Sequence, residues 1–354
     1  DECPAGVDVP KLMVEAKAQY VANSGLRYDE WYMAHLEGLA RWGSRFATVA
    51  NFALASRQLR WLLSRITGIA EGRKLPRFDK TTFMAKAASK RWTKPTRQAE
   101  RRVLYFVDLY ANYFDTELAE AVVGVLRRHG YEVYVHPRQE SSGMPAVSLG
   151  AVEIAAEIAR RNTRILAEAV RQGYQIVTSE PSAAMCLRHE YVQLLGDDDS
   201  RLVAENSLDI TSFLWNLHQS GKLELDFKPV NFRVGYHQPC HLRTFNASGD
   251  SLLKLIPGLT VQTLERGCSG MAGTFGLLSH NYRASLRAGL GLINALRDPA
   301  IQIGVTECSA CKLQMEQGAS KPTTHPVKLL ALSYGLMPSI DQGLTRRTED
   351  LVTT

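Results

Sequence analysis

Val103-Leu-Tyr-Phe-Val107, then Thr116 to His129, then Tyr131-Glu-Val-Tyr-Val135: this run decides the fold. Its two ends are short, apolar and rich in β-branched and aromatic residues, which suit a pleated strand. Between them Leu118, Ala121, Val122, Val125 and Leu126 recur at helical spacing and give a helix one apolar face. Gly130 ends that helix. The rhythm goes on: a long helix is expected over residues 152–172, closed by Gly173, and then a third strand, Tyr174-Gln-Ile-Val177. Strands alternating with helices imply a parallel sheet with right-handed crossovers.

The same rhythm restarts at Asn231. Phe232-Arg-Val-Gly-Tyr236 reads as a strand, residues 252–256 as a short helix and 259–264 as a strand. Residues 281–296 read as a helix and 301–305 as a strand. Three anchors tie the copies together. Val103 pairs with Val234, Ser141-Ser-Gly-Met144 with Cys268-Ser-Gly-Met271, and Val177-Thr178 with Val305-Thr306, at offsets of 131, 127 and 128. A near-constant offset marks an internal duplication. Upstream, Leu39, Trp42, Phe46 and Val49, and then Leu59, Leu62, Leu63 and Ile66, repeat at helical steps. Gly68 and Gly72 mark a stop, and Lys74-Leu-Pro-Arg-Phe78 reads as an extended connector. The expectation is α/β: two repeated parallel-sheet lobes, 98–228 and 229–340, after a helical segment 1–97 and before a tail 341–354.

The cysteines single out the second lobe. Of Cys3, Cys186, Cys240, Cys268, Cys308 and Cys311, four fall in the last third, and two of those form Cys308-Ser-Ala-Cys311. They are too few and too uneven for a secreted disulfide scaffold. Laid on the first repeat, Cys240 falls on Leu109, Cys268 on Ser141, Cys308 on Glu180 and Cys311 on Ala183. The four are present together in one copy and absent together in the other, as a set of ligands would be. Each follows a predicted strand, and strand ends of an open parallel sheet line one crevice. Cys308 and Cys311 are expected to supply two ligands from one tight turn. Gly267 and Gly270 flank Cys268, where glycine lets the backbone approach an anionic group. Four thiolates suit a [4Fe–4S] or [2Fe–2S] cluster. They also suit zinc, although zinc ribbons favour two close pairs in sequence.

Bulk properties exclude other classes. A net charge of +6 is mild for this length. The basic stretch from Lys86 to Arg102 reads as a solvated linker, or as a docking strip for an acidic partner or a membrane surface. No nucleic-acid motif accompanies it. No apolar run approaches the roughly 18 residues of a membrane span, and no signal peptide is visible. A cytoplasmic chain is expected, with peripheral contact at the inner face of a membrane. No flavin or nicotinamide fingerprint follows a strand.

Three separated motifs carry a resemblance to a known family. Tyr236-His-Gln-Pro-Cys240-His241, Gly267-Cys-Ser-Gly-Met-Ala-Gly-Thr-Phe-Gly276 and Thr306-Glu-Cys-Ser-Ala-Cys311-Lys312 resemble the second cysteine-rich "CCG" domain. That domain occurs in one of the subunits of heterodisulfide reductase, in one of those of anaerobic glycerol-3-phosphate dehydrogenase, and in the iron–sulfur part of glycolate and D-lactate oxidases. The first repeat resembles the first such domain, through Ser141-Ser-Gly-Met-Pro145 and Glu180-Pro-Ser-Ala183. Asp1-Glu-Cys3-Pro4 resembles the tail of a bacterial ferredoxin motif. This implies a C-terminal piece of a longer chain, similar to fused flavin-plus-iron–sulfur dehydrogenases of D-2-hydroxyacids, including D-lactate and D-2-hydroxyglutarate. The family has paired cysteines where this chain has Cys268-Ser269 and Ser141-Ser142. A plain four-cysteine cluster in the second lobe and none in the first are therefore expected.

The resemblance implies an electron-transfer module without a catalytic residue of its own. A flavin-containing dehydrogenase domain or subunit, with FAD upstream or in a partner, would oxidise a 2-hydroxyacid. Electrons would pass through the cluster to a quinone or another carrier. His237 and His241 would donate hydrogen bonds to cluster sulfur, and Lys312 would place a cation near it. Cys186 reads as a buried thiol, and Glu180 as solvated or salt-bridged. Two rivals are a thiol/disulfide redox catalyst, against which Ser269 argues, and a zinc-stabilised interaction domain.

Overall fold

In the computed structural model, residues 7–96, 99–245, 248–265 and 267–345 are described. Cys3 lies outside them. The expected duplication is present. Strands Arg102–Phe106 (β1), Glu132–Tyr134 (β2), Gln175–Thr178 (β3) and Ser207–Asp209 (β4) form one parallel sheet in the order β2-β1-β3-β4. Arg233–Tyr236 (β5), Thr260–Thr263 (β6), Ile303–Val305 (β7) and Thr323–Thr324 (β8) form a second in the order β6-β5-β7-β8. Tyr105 lies beside Val177 and Tyr236 beside Val305, the register that the offsets of 131 and 128 require.

The helices between strands follow the spacing. Asp115 caps Thr116–Arg128 by accepting from the Leu118 amide, and Arg127 and Arg128 close its last turn, where cations suit the helix dipole. Val152–Arg171 runs the length expected. One apolar core threads both lobes, from Val103, Tyr105 and Leu126 to Val234, Val305 and Leu330. The helix Thr116–Arg128 packs on Pro326–Ser333 across the junction. At the same junction Asp115 accepts from Lys312 at 3.2 Å and from Lys328 at 3.1 Å. Although burial alone would raise it, the two ammonium groups hold the Asp115 carboxyl far below the usual carboxylate range.

The upstream segment is helical: Val9–Ser24, Tyr28–Ala34, Leu36–Arg45, Ala47–Ala55, Arg57–Thr67 and Phe83–Ser89. The apolar repeat read from the sequence lies on these helices, but much of it faces outward. Trp42, Val49 and Phe52 are 66%, 68% and 70% exposed. What ties the segment down is its connector. Asn51 both donates to and accepts from the backbone of Phe78. Residues 68–73 strap the second lobe: Ala70 N donates to Leu277 O, Ser279 N to Gly68 O, and Ile69 bridges Leu278.

Candidate metal centre

The four cysteines expected as ligands lie at the carboxyl ends of β5, β6 and β7. In the order β6-β5-β7-β8, the chain leaves β5 to one side and returns to the other, so β5 and β7 flank the switch point where open sheets bind ligands. Cys240 opens a short 3₁₀ turn, Cys240–Thr244, just after β5. Cys268 sits in the loop after β6. Cys308 is the N-cap residue of the helix Ser309–Ala319, and Cys311 lies in that helix's first turn. A helix N-terminus favours negative charge, so the arrangement suits thiolates.

The thiols stand as two pairs, and none forms a disulfide among the described residues. Cys240 holds the Cys268 thiol down to about 6, helped by the Gly270 amide at 3.3 Å, while Cys268 pushes Cys240 up. In the second pair, of which Cys311 is buried and Cys308 half-buried, Cys308 pulls Cys311 down and is itself pushed up. The Ser269 hydroxyl donates to Cys311 Sγ at 3.2 Å. Charge on Cys311 acts on both members of the other pair, so the four share one electrostatic site. His237 is buried between them, and it lowers both Cys268 and Cys311. Its Nε2 has no hydrogen-bond partner among the described residues. An orphaned buried imidazole nitrogen beside four thiols is what a sulfur-rich anionic group would satisfy. His241 is half-buried, and burial pushes its imidazole down, toward the neutral form.

The loop around Cys268 depends on glycine. Gly270 has φ +83°, and a Cβ there would meet the Ser285 carbonyl at 2.2 Å. The loop is thus pressed against the helix Tyr282–Leu296. Gly267 also has φ +71°, but open space around it.

The first lobe shows the same turn without thiols. Leu109 and Ser141 line a cavity of about 280 Å³ together with His35, Glu37, Arg41 and Arg161. Ser141 donates its amide and hydroxyl to Glu37 at 2.8 and 2.7 Å. Ala183 is buried. Glu180 corrects the sequence reading, being buried rather than solvated and forming no salt bridge among the described residues. It is buried and accepts from the Ser309 amide at 3.2 Å, across the junction and next to Cys308. Burial pushes its carboxyl up to about 7. Cys186 is buried as expected, with its thiol pushed up by burial and donating to Ser142 O. Lys312 corrects the reading too. Its ammonium turns to Asp115 and lies 5.6 Å from the Tyr110 ring centroid.

Two features escaped sequence reasoning. Tyr236 donates to Glu307 at 2.9 Å, and the equivalent Tyr105 pairs with Ser179 at 2.7 Å. The repeat offset that sorted the cysteines places Glu307 on Ser179, so this substitution was within reach. Arg73 was not, because its contacts lie more than 200 residues away along the chain.

Paired parallel lobes with strand-end thiols in one of them define a duplicated cysteine-rich module. The model of the cysteine-rich domain family, CCG, matches residues 103–188 and 234–316, one stretch in each lobe, so each lobe is similar to that domain. It is 29% identical over 336 residues to a subunit of the anaerobic glycerol-3-phosphate dehydrogenase of Escherichia coli K12, covering 93% of this chain and 82% of that protein. It is 28% identical over 235 residues to a subunit of the fumarate reductase (CoM/CoB) of Methanothermobacter marburgensis, covering 65% and 44%. It is 28% identical over 184 residues to lactate utilization protein A of Bacillus cytotoxicus, covering 49% and 74%. The chain is therefore similar to components of oxidoreductases.

Proposed function

We propose that this chain is an iron–sulfur electron-transfer module, with one cluster held by Cys240, Cys268, Cys308 and Cys311 in the second of two lobes, 98–228 and 229–340. The observation that carries the reading is the meeting of these four thiols, from three loops, at the switch point of one sheet. The donor set fits the group. Among the described residues no three His, Cys, Asp or Glu side chains close tightly enough around one point to hold a single ion. Four thiolates from widely separated stretches suit an iron–sulfur cluster better than a zinc ribbon, which favours two close pairs in sequence. Ser269, with its hydroxyl on Cys311, argues against a thiol/disulfide catalyst.

The cluster would accept electrons from a flavin-containing dehydrogenase domain or subunit and pass them to a quinone or another carrier. The name of the lactate relative supports a 2-hydroxyacid as the ultimate donor. The longer match, to a component of a glycerol-3-phosphate dehydrogenase, supports that alcohol instead. No helix among the described residues is long and apolar enough to cross a membrane. Outward Trp42, Phe46, Phe52 and Trp61 alternate with Arg41, Arg45, Arg57 and Arg65 on adjacent helices, a chemistry suited to peripheral contact with a membrane surface.

Anaerobic purification tests the reading. Brown protein with iron, acid-labile sulfide and an EPR signal on reduction is expected. Colourless protein carrying zinc would replace it with the interaction-domain reading. Adding the dehydrogenase partner with lactate or with glycerol 3-phosphate, and asking which bleaches the cluster, separates the donors.

A further inference from the structure

A buried cation without a carboxylate partner stands behind the cysteine loops. Arg73 is 1% exposed. Its Nε and Nη2 donate to the Gly276 carbonyl at 2.9 and 2.6 Å, and Nη2 also donates to Ser285 Oγ at 3.2 Å. Its Nη1 donates to Gln314 Oε1 at 2.5 Å and Gln317 Oε1 at 3.0 Å. The guanidinium carbon lies 4.6 Å from the Tyr282 ring centroid. Every acceptor is neutral, and among the described residues no Asp or Glu forms an ion pair with it. Burial pulls the guanidinium down to about 10. A cation held this way is costly unless opposite charge lies nearby.

Its contacts say where that charge would be. Gly276 ends the motif that begins at Gly267-Cys268. Gln314 lies one helical turn beyond Cys311. Ser285 packs its carbonyl on Gly270, two residues after Cys268. Arg73 therefore touches the outer side of both walls of the candidate centre. Lys312, the cation nearest in sequence, is neutralised by Asp115.

We propose that Arg73 is the counter-charge of the bound cluster, supplied by the upstream segment to help retain it and to raise its reduction potential. The inference rests on the cluster reading. Four thiolates around an iron–sulfur core carry net negative charge, and one-electron reduction adds one more. A positive charge in a medium of low polarity favours the reduced form.

The full chain with the neutral Arg73→Gln and the charge-conserving Arg73→Lys forms the test. All three proteins are purified anaerobically, assayed for iron and sulfide, and titrated with dithionite while EPR reports the reduced cluster. Arg73→Gln is expected to lower the midpoint by at least a tenfold change in the reduction equilibrium, about 59 mV for one electron. It should also lose iron faster to a chelator, while Arg73→Lys stays nearer the parent on both counts. An unmoved midpoint in Arg73→Gln overturns the proposal. So do equal shifts, or equal losses of iron, in the two variants, because shape rather than charge would then matter. A parent chain without iron sinks the cluster reading and this inference with it; a loaded parent and an indifferent Gln variant sink the inference alone.

Discussion

In the first lobe Ser142 gives its amide and hydroxyl to Asp108, at 3.0 and 2.9 Å. Its carbonyl receives the Tyr191 hydroxyl and the Cys186 thiol. In the second lobe the equivalent Ser269 gives its hydroxyl to a cysteine, and the imidazole nearby is left with an unpartnered nitrogen. One turn, built twice on the same sheet order, is wired to its own lobe in one copy and lined by thiols and an unpartnered imidazole nitrogen in the other. On the proposed reading, the loop satisfied by its own protein is scaffold, and the loop with thiols and an unpartnered imidazole nitrogen is the site. Gly143 and Gly270 sharpen the point. Both have positive φ, +76° and +83°. The glycine persists where no ligand cysteine does, so the turn demands it and not the cofactor.

The largest expected effect would break this contrast outright. Cys308→Ala should abolish iron retention, while Cys186→Ala in the scaffold lobe should leave iron and sulfide per chain unchanged. Equal metal content in the two variants would mean that the lobes are not divided as described. A smaller effect concerns what joins them. Asp115→Asn keeps the helix cap but strips the charge between Lys312 and Lys328. Removing one partner of a buried ionic cluster costs about 3–5 kcal/mol, to be read as a lower urea midpoint. A loss under about 1 kcal/mol would mean that the apolar core alone holds the lobes together.

The smallest effect is pH-dependent. Glu180 occupies the position of Cys308 in the scaffold lobe, with burial holding its carboxyl at about 7 against an ordinary 4.5. Between those values the folded chain keeps a proton that the unfolded chain releases, so stability falls as pH rises from about 4.5 to about 7. Glu180→Gln should flatten that slope, by at most about 3 kcal/mol at neutral pH. Denaturation of metal-free protein across this range reads it, and an unchanged slope would place the titration elsewhere.

Much of this was legible in the sequence because period and repeat are local signals. The first three strands of each lobe and the helices Thr116–Arg128 and Val152–Arg171 follow from the apolar spacing alone. Strands β4 and β8 do not. Ser207-Leu-Asp209 and Thr323-Thr324 are short and polar, and they become strands only by pairing with β3 and β7. The cysteines were found by comparing the copies, a signal that a single C-x-x-C would not have supplied. Glu180 and Lys312 were misread for one reason: each takes its partner from the opposite lobe, and sequence spacing does not reveal which faces meet. On the upstream helices the period was right, but the direction of the face was not visible.

The strap at residues 68–73 also bears on how the molecule is made. Arg73 finds its partners 203 to 244 positions further along the chain. Contacts so distant close late, after local helices have formed, because the long intervening loop must first be gathered in. On the ribosome the upstream helices emerge first and wait for the last third of the chain. Until that third folds back onto the strap, the loop carrying Cys268 has nothing clamped across its back, and on the proposed reading this is the interval in which a cluster would be loaded.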